Sequence, residues 1–311
     1  MIGLSAVMGM HTASAQYTGP QTGPVGPQSG PSSWDNDDYI IYSFVPGVIH
    51  VADSDFSLKG VIAVDAGNFA FDSKGNLYVV NTSSEVRTID IYAQAGGKIG
   101  SFTNEHMHVL RSIKTLPSDD IVGLTSTGIR EFSPDGSAGK TYDTGTGIYR
   151  DLTLLPGGVL WATVQRASTY LIEVYDTNTG SMIGSVPLDN GQVGAGGSKY
   201  IAATNTVLMH DFGTDAAFER ALDGSYIRTL NAPDYIDGGG FTALPNGDII
   251  GTEAFDNGAI RWSSEGTYLE SIDLLFTDGP DQIVHTGTIP EPASLAMLMV
   301  SGLLLTRRRV I

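Results

Sequence analysis

The sequence predicts an all-β fold, and within that class a six-bladed β-propeller, on three observations. Between residues 38 and 288, apolar runs of four to eight residues alternate with Gly, Asp, Asn, Ser and Pro, and no long stretch carries a 3.6-residue apolar period. A phrase of strand, tight turn and second strand recurs five times. The first apolar residue after each turn falls at positions 77, 121, 160, 208 and 249, so the copies lie 44, 39, 48 and 41 residues apart. A period near 40 with a hairpin in every unit fits four-stranded blades, none of which buries its faces without neighbours.

Taken in chain order, residues 1–15 read as a signal peptide. Ile2 to Met10 are small and apolar, and Ala13-Ser14-Ala15 before Gln16 fits the A-x-A cleavage rule, with Ala13 and Ala15 as the residues that signal peptidase reads. The first basic residue is Lys59, so the charged opening of such a peptide is expected upstream of this Met1. Residues 16–37 form a Gly/Pro-rich linker, with Gly-Pro at 19–20, 23–24, 26–27 and 30–31. Proline fixes φ and removes donors while glycine adds backbone entropy, which predicts a disordered spacer. Its last residues, Trp34-Asp35-Asn36-Asp37-Asp38, look like a calcium-binding run but lack the loop glycine and distal Glu of an EF-hand, and read as an acidic linker end.

The propeller is expected over residues 38–288. Its repeated phrase appears at Phe69 to Val80 (FAFDSKGNLYVV), Ile113 to Leu124 (IKTLPSDDIVGL), Leu152 to Thr163 (LTLLPGGVLWAT) and Phe241 to Thr252 (FTALPNGDIIGT), with a weaker copy around Leu208. Second hairpins follow, as at Ile129 to Ser137 (IREFSPDGS) and Leu171 to Gly184 (LIEVYDTNTGSMIG), around turn residues suited to tight reversals. Five units leave Asp38 to Ile62 without an inner strand and Asp281 to Thr288 as an orphan strand. Pairing the orphan with the N-terminal strands closes a ring of six and removes exposed edges; five or seven blades are the alternatives, since the wide gap from 160 to 208 leaves space for irregular insertions. The phrases, above all FDSKGNLYVVN and VYDTNTGSMIGSV, resemble NHL-type and other six-bladed propellers of the gluconolactonase and streptogramin-lyase group over about 240 residues.

Residues 289–311 close the chain with Pro290-Glu291-Pro292, an apolar run from Leu295 to Leu305 broken by Ser301 and Gly302, and Arg307, Arg308 and Arg309. This tail resembles the PEP-CTERM sorting signal of Gram-negative bacteria. Ala293 to Leu305 would make roughly 20 Å of helix, short of a ~30 Å hydrocarbon core, so it suits transient membrane contact. The arginines would hold its end on the cytoplasmic side. The resemblance implies recognition of Pro290, Glu291 and Pro292 by an exosortase, with Arg307 to Arg309 as stop-transfer charges, in a protein exported across the inner membrane, often alongside exopolysaccharide production.

Acidic residues number 34 against 17 basic ones, a net charge of −17; loss of the tail after Glu291 leaves 17 − 3 = 14 basic residues and −20. Such a surface repels phosphate backbones, so nucleic acid is not an expected partner. There is no cysteine, which excludes disulfides, thiolate metal sites and cysteine nucleophiles.

In a propeller, ligands meet the loops that lead into each inner strand and those joining second and third strands. By that register the mouth is expected to present Asn68, Arg111, Arg150, Asp151 and Arg166. Arg111 and Arg150 hold equivalent places, and two guanidinium groups facing one pocket suit a carboxylate or an acidic sugar. A gluconolactonase-like centre would instead need Asn81, Asp211 and Glu253 to converge on Ca2+ or another divalent cation. His210 is the histidine this register places at the mouth, with His106 and His108 just before an inner strand; each reads first as a loop or core residue. No cofactor is expected on the favoured reading, a binding or structural propeller of the cell surface or extracellular matrix with extracellular polysaccharide as partner; the alternative is a metal-dependent lactone hydrolase or lyase.

Overall fold

The computed structural model describes residues 33–288, apart from 45–46, 64, 144–146, 189–194, 212–213, 215, 233–239, 254–257 and 275–279. Six four-stranded antiparallel sheets form six blades, as expected. Blade 1 holds β1 (Tyr39–Ser43), β2 (Val48–Ala52) and β3 (Leu58–Ala63). Blade 2 holds β4 (Ala66–Phe71), β5 (Leu77–Asn81), β6 (Thr88–Tyr92) and β7 (Lys98–Thr103). Blade 3 holds β8 (Leu110–Thr115), β9 (Ile121–Thr125), β10 (Gly128–Phe132) and β11 (Ala138–Asp143). Blade 4 holds β12 (Ile148–Leu155), β13 (Val159–Arg166), β14 (Thr169–Asp176) and β15 (Met182–Pro187). Blade 5 holds β16 (Ala195–Ile201), β17 (Thr206–Asp211), β18 (Ala216–Arg220) and β19 (Tyr226–Leu230). Blade 6 holds β20 (Phe241–Ala243), β21 (Ile249–Glu253), β22 (Gly258–Trp262) and β23 (Tyr268–Asp273), and β24 (Pro280–His285) returns to blade 1.

The hydrophobic core lies between blades. Alternate residues of a strand point to opposite sheet faces, so β5 sends Leu77 and Val79 into a cluster with Ile40 and Ile49 of blade 1, and Tyr78 and Val80 into one with Leu110 and Ile113 of blade 3. The other four clusters likewise join residues of two successive blades. That is why a single blade has no independent stability.

The first turn of blades 2, 3, 5 and 6 places one residue in the left-handed region. Glycine fills it at Gly75 (φ 77°) and Gly247 (φ 88°); Asp119 (φ 67°) and Asn205 (φ 56°) serve elsewhere, as short polar side chains tolerate that conformation.

Closure follows the expected pairing. β24 is the inner strand of blade 1 and runs antiparallel to β1, with Tyr39 opposite His285 and Ile41 opposite Ile283. The buried Asp38 latches the join: its carboxylate accepts from Lys59 Nζ at 2.7 Å, and Thr286 N donates to its carbonyl at 2.8 Å. Ordered packing extends upstream of Asp38. Trp34 is buried edge-on to Phe71, at a centroid distance of 6.2 Å, and its backbone N–H donates to Gln94 O. Among the described residues no helix is long and apolar enough to cross a membrane.

Candidate functional site

Six inner strands, β4, β8, β12, β16, β20 and β24, surround the axis. Equivalent pairs with their second strands (Phe71 with Leu77, Thr115 with Ile121, Leu154 with Leu160, Tyr200 with Val207, Ala243 with Ile249, and His285 with Tyr39) set a common register. In that register Asn68, Ser112, Asp151, Gly197, Gly240 and Gln282 share one level, and Ala70, Lys114, Thr153, Lys199, Thr242 and Val284 lie two residues further along. Four inner strands carry a bulge near their start, between Ala66 and Phe69, Leu110 and Ile113, Tyr149 and Asp151, and Ala195 and Ser198. A bulge re-aims the side chains beside it.

The first level ties blades together. Gln282 accepts from Phe69 N at 3.1 Å and donates to Phe69 O at 3.0 Å, and Asn68 Oδ1 accepts from Ile113 N at 3.0 Å. The Asp151 carboxylate takes Ser112 Oγ on one oxygen at 2.6 Å, and Ser198 N at 2.6 Å and Ser198 Oγ at 3.1 Å on the other. Asn68 and Asp151, expected at the mouth, thus bridge the inner strands of neighbouring blades.

Arg111 and Arg150 are exposed at the start of adjacent inner strands. Arg111 makes no hydrogen bond among the described residues, and Arg150 Nη2 lies 3.5 Å from Gln165 Oε1. Arg166 is engaged differently. Its Nε and Nη2 form a fork on Glu173 at 2.7 and 3.0 Å, while Nη2 also meets Asp143 at 3.1 Å and Tyr149 Oη at 2.8 Å. The Glu173 carboxylate, then Asp143, holds its guanidinium further into the charged form, and burial raises the phenol pKa of Tyr149. This network joins blades 3 and 4 and leaves Arg166 little freedom to meet a ligand.

The three metal candidates lie on separate blades. Asn81 ends β5, where it donates to Asp90 at 3.0 Å and accepts from Ser83 N at 2.9 Å. Asp211 and Glu253 are buried carboxylates that end the second strands of blades 5 and 6. His210 is fully buried beside Asp211; His106 precedes β8, with Nε2 3.8 Å from Glu105. Among the described residues no group of three or more His, Cys, Asp or Glu side chains is placed to hold a metal ion. Ala13, Ala15, Pro290, Glu291, Pro292 and Arg307 to Arg309 lie outside the described residues.

The sequence reading gave no role to Lys114 or Lys199. Lys114 Nζ sits 3.8 Å from Asp151 Oδ1 and 3.5 Å from Ser112 Oγ. Lys199 is half-buried, and burial, then the Lys114 charge, pushes its amine down to about 8, against a partial pull upward from Asp151. Carrying the register of Ser112 and Asp151 two residues onward would have found Lys114, and the same step from Gly197 finds Lys199.

No protein-family model and no curated protein matches the chain. Solved structures do. The chain is similar to a propeller in a nidogen/laminin complex at 16% identity and a TM-score of 0.65, covering 79% of this chain and 97% of that one. A streptogramin B lyase gives 18% identity and 0.58, over 80% and 87% of the two chains. A catalytically inactive virginiamycin B lyase from Staphylococcus aureus with quinupristin gives 14% and 0.57, over 79% and 88%. These likenesses show the fold. The chain is a six-bladed β-propeller like those of the streptogramin lyases, and identities this low carry no chemistry across.

Proposed function

We propose that this protein is an exported binding propeller that takes an acidic saccharide at the mouth of its axis, as a component of the cell surface or extracellular matrix. One observation carries the reading. The inner strands hold four basic residues, Arg111, Lys114, Arg150 and Lys199, against two acidic ones, Asp151 and Asp281, in a chain whose overall ratio is 17 to 34. A cationic axis inside an anionic surface favours an anionic ligand at the mouth and repels it elsewhere. The Pro290-Glu291-Pro292 tail with its terminal arginines supports export and exosortase processing, and the nidogen/laminin complex is a precedent for this architecture in a binding partner. The test is retention on immobilised polygalacturonate against neutral dextran. Polygalacturonate should retain the protein, and Arg111→Ala with Arg150→Ala should weaken retention about tenfold, as two exposed charge contacts of order 0.5–1 kcal/mol each allow. Equal retention on dextran overturns the reading.

A second reading rests on Asp211 and Glu253, two buried carboxylates at equivalent ends of adjacent blades. With an ion such as Ca2+ they would begin a hydrolase or lyase centre. A rise in unfolding temperature on adding calcium, lost in Glu253→Gln, is the outcome that favours it.

A further inference from the structure

We propose that the groove between blades 3 and 4, on the face opposite the mouth, is a second saccharide site that takes a neutral acetamido sugar. It stands apart from the acidic-ligand reading of the mouth. The groove has a volume of about 490 Å3, within the roughly 300–1,000 Å3 of small-molecule sites. The turn between β8 and β9 supplies Leu116, Pro117 and Asp120, the turn between β12 and β13 supplies Gly158, the turn after β14 supplies Asn178, and Lys140 comes from β11. Hydrogen bonds within the protein hold these walls in place. Tyr142 Oη shares its hydrogen between Glu131 Oε2 at 2.8 Å and Thr177 O at 3.3 Å, which ties β11 of blade 3 to the turn after β14 in blade 4. Thr177 N and Thr177 Oγ1 both donate to Gly158 O at 2.8 Å. A Cβ on Gly158 would stand 2.9 Å from Thr177 Oγ1 and 3.4 Å from Asn178 Nδ2, so glycine there lets the two turns of blade 4 close up beside the groove.

What this frame leaves open is the hydrogen-bonding set of an amide. Asp120 Oδ2 accepts from Ser118 Oγ at 2.8 Å, while its Oδ1 has no partner among the described residues. The Asn178 backbone N–H is held by Asp176 at 2.7 Å, while its side-chain amide makes no hydrogen bond among the described residues. Lys140 directs two of its three N–H groups at Glu131, 3.2 Å from each oxygen, which leaves the third for a ligand. One acceptor and two donors beside the apolar Leu116 and Pro117 match an acetamido group. Its N–H would donate to Asp120 Oδ1, its carbonyl would accept from Asn178 Nδ2 or Lys140 Nζ, and its methyl would cover the apolar wall. Charge decides against an acid. Asp120 and Glu131 outnumber Lys140, so a sugar carboxylate is repelled at this groove.

The experiment is saturation-transfer NMR on the full chain with N-acetylglucosamine, with glucose and sodium galacturonate as counterparts. N-acetylglucosamine is expected to bind at least fivefold more tightly than glucose, its acetyl methyl protons receiving the largest saturation. Asn178→Ala and Asp120→Asn should each weaken it about fivefold, the effect of one lost hydrogen bond, while Arg111→Ala with Arg150→Ala at the mouth stays within about twofold. Asn178 is exposed, so its replacement spares the fold, and the methyl saturation is read on the unaltered chain. Equal affinity for glucose, undiminished binding in Asn178→Ala, or loss of binding in the mouth variant overturns the site. If galacturonate binds and N-acetylglucosamine does not, the groove site falls while the mouth reading stands.

Discussion

His50 shows how a single side chain in this ring is governed by its surroundings. It lies mid-strand in β2, buried, and loss of water pushes its pKa down to about 4. The folded state therefore holds fewer protons on this ring than the unfolded chain between pH 6.5 and 4. Its contribution to stability is full above 6.5 and is lost as the pH falls through that window. Burial acts in the same direction on His285. Acidification from pH 7 to 4.5 should cost on the order of 2 kcal/mol through His50, read as a falling urea midpoint, and His50→Gln should flatten that part of the profile. A midpoint equally steep in the variant would remove His50 from the account. At this scale the sequence was only half legible. Arg111 and Arg150 stand where their register put them, but no spacing rule announced that Arg166 would be clamped by Glu173 and Asp143, because those partners come from another strand and another blade. Lys199 was given no role for a similar reason: the Lys114 charge that lowers its pKa belongs to another blade, 85 residues earlier (199 − 114).

Among the elements, the join between blade 6 and blade 1 is closely packed. A Cβ on Gly240 would stand 2.6 Å from Gln282 Cα and 2.7 Å from Ile283 N, backbone atoms that have no rotamer by which to yield. Gly240→Ala should therefore destabilise by about 3 kcal/mol through overpacking, lowering the unfolding temperature by roughly 6–12 °C. An unchanged temperature would mean that β20 and β24 are not held at this spacing. The strands themselves were well marked in the sequence. The markers at 77, 121 and 249 are the first residues of β5, β9 and β21, and those at 160 and 208 fall inside β13 and β17. Turn chemistry made this possible, since Pro-Gly, Asn-Gly and Asp-Asp pairs are local signals. Blade 1 has no such internal turn between its first two strands. It was found by counting unpaired segments, because a closed ring leaves none over.

For the whole molecule, sign and distribution of charge matter more than any one contact. A net charge of −17 surrounds an axis whose inner strands are predominantly basic. Binding of an acidic polymer at that mouth should weaken about tenfold between 0.05 and 0.5 M NaCl, since the Debye length shrinks severalfold over that range. Surface plasmon resonance on immobilised polygalacturonate would measure it, and a salt-independent affinity would argue for a neutral ligand. The ring also has a history in time. Its first blade is completed by β24, whose residues are among the last of the described chain to be synthesised. Until Pro280 to His285 emerge, β1 keeps an open edge and the ring stays ajar. A chain that folds as it emerges would therefore close its ring only when its last described strand arrives.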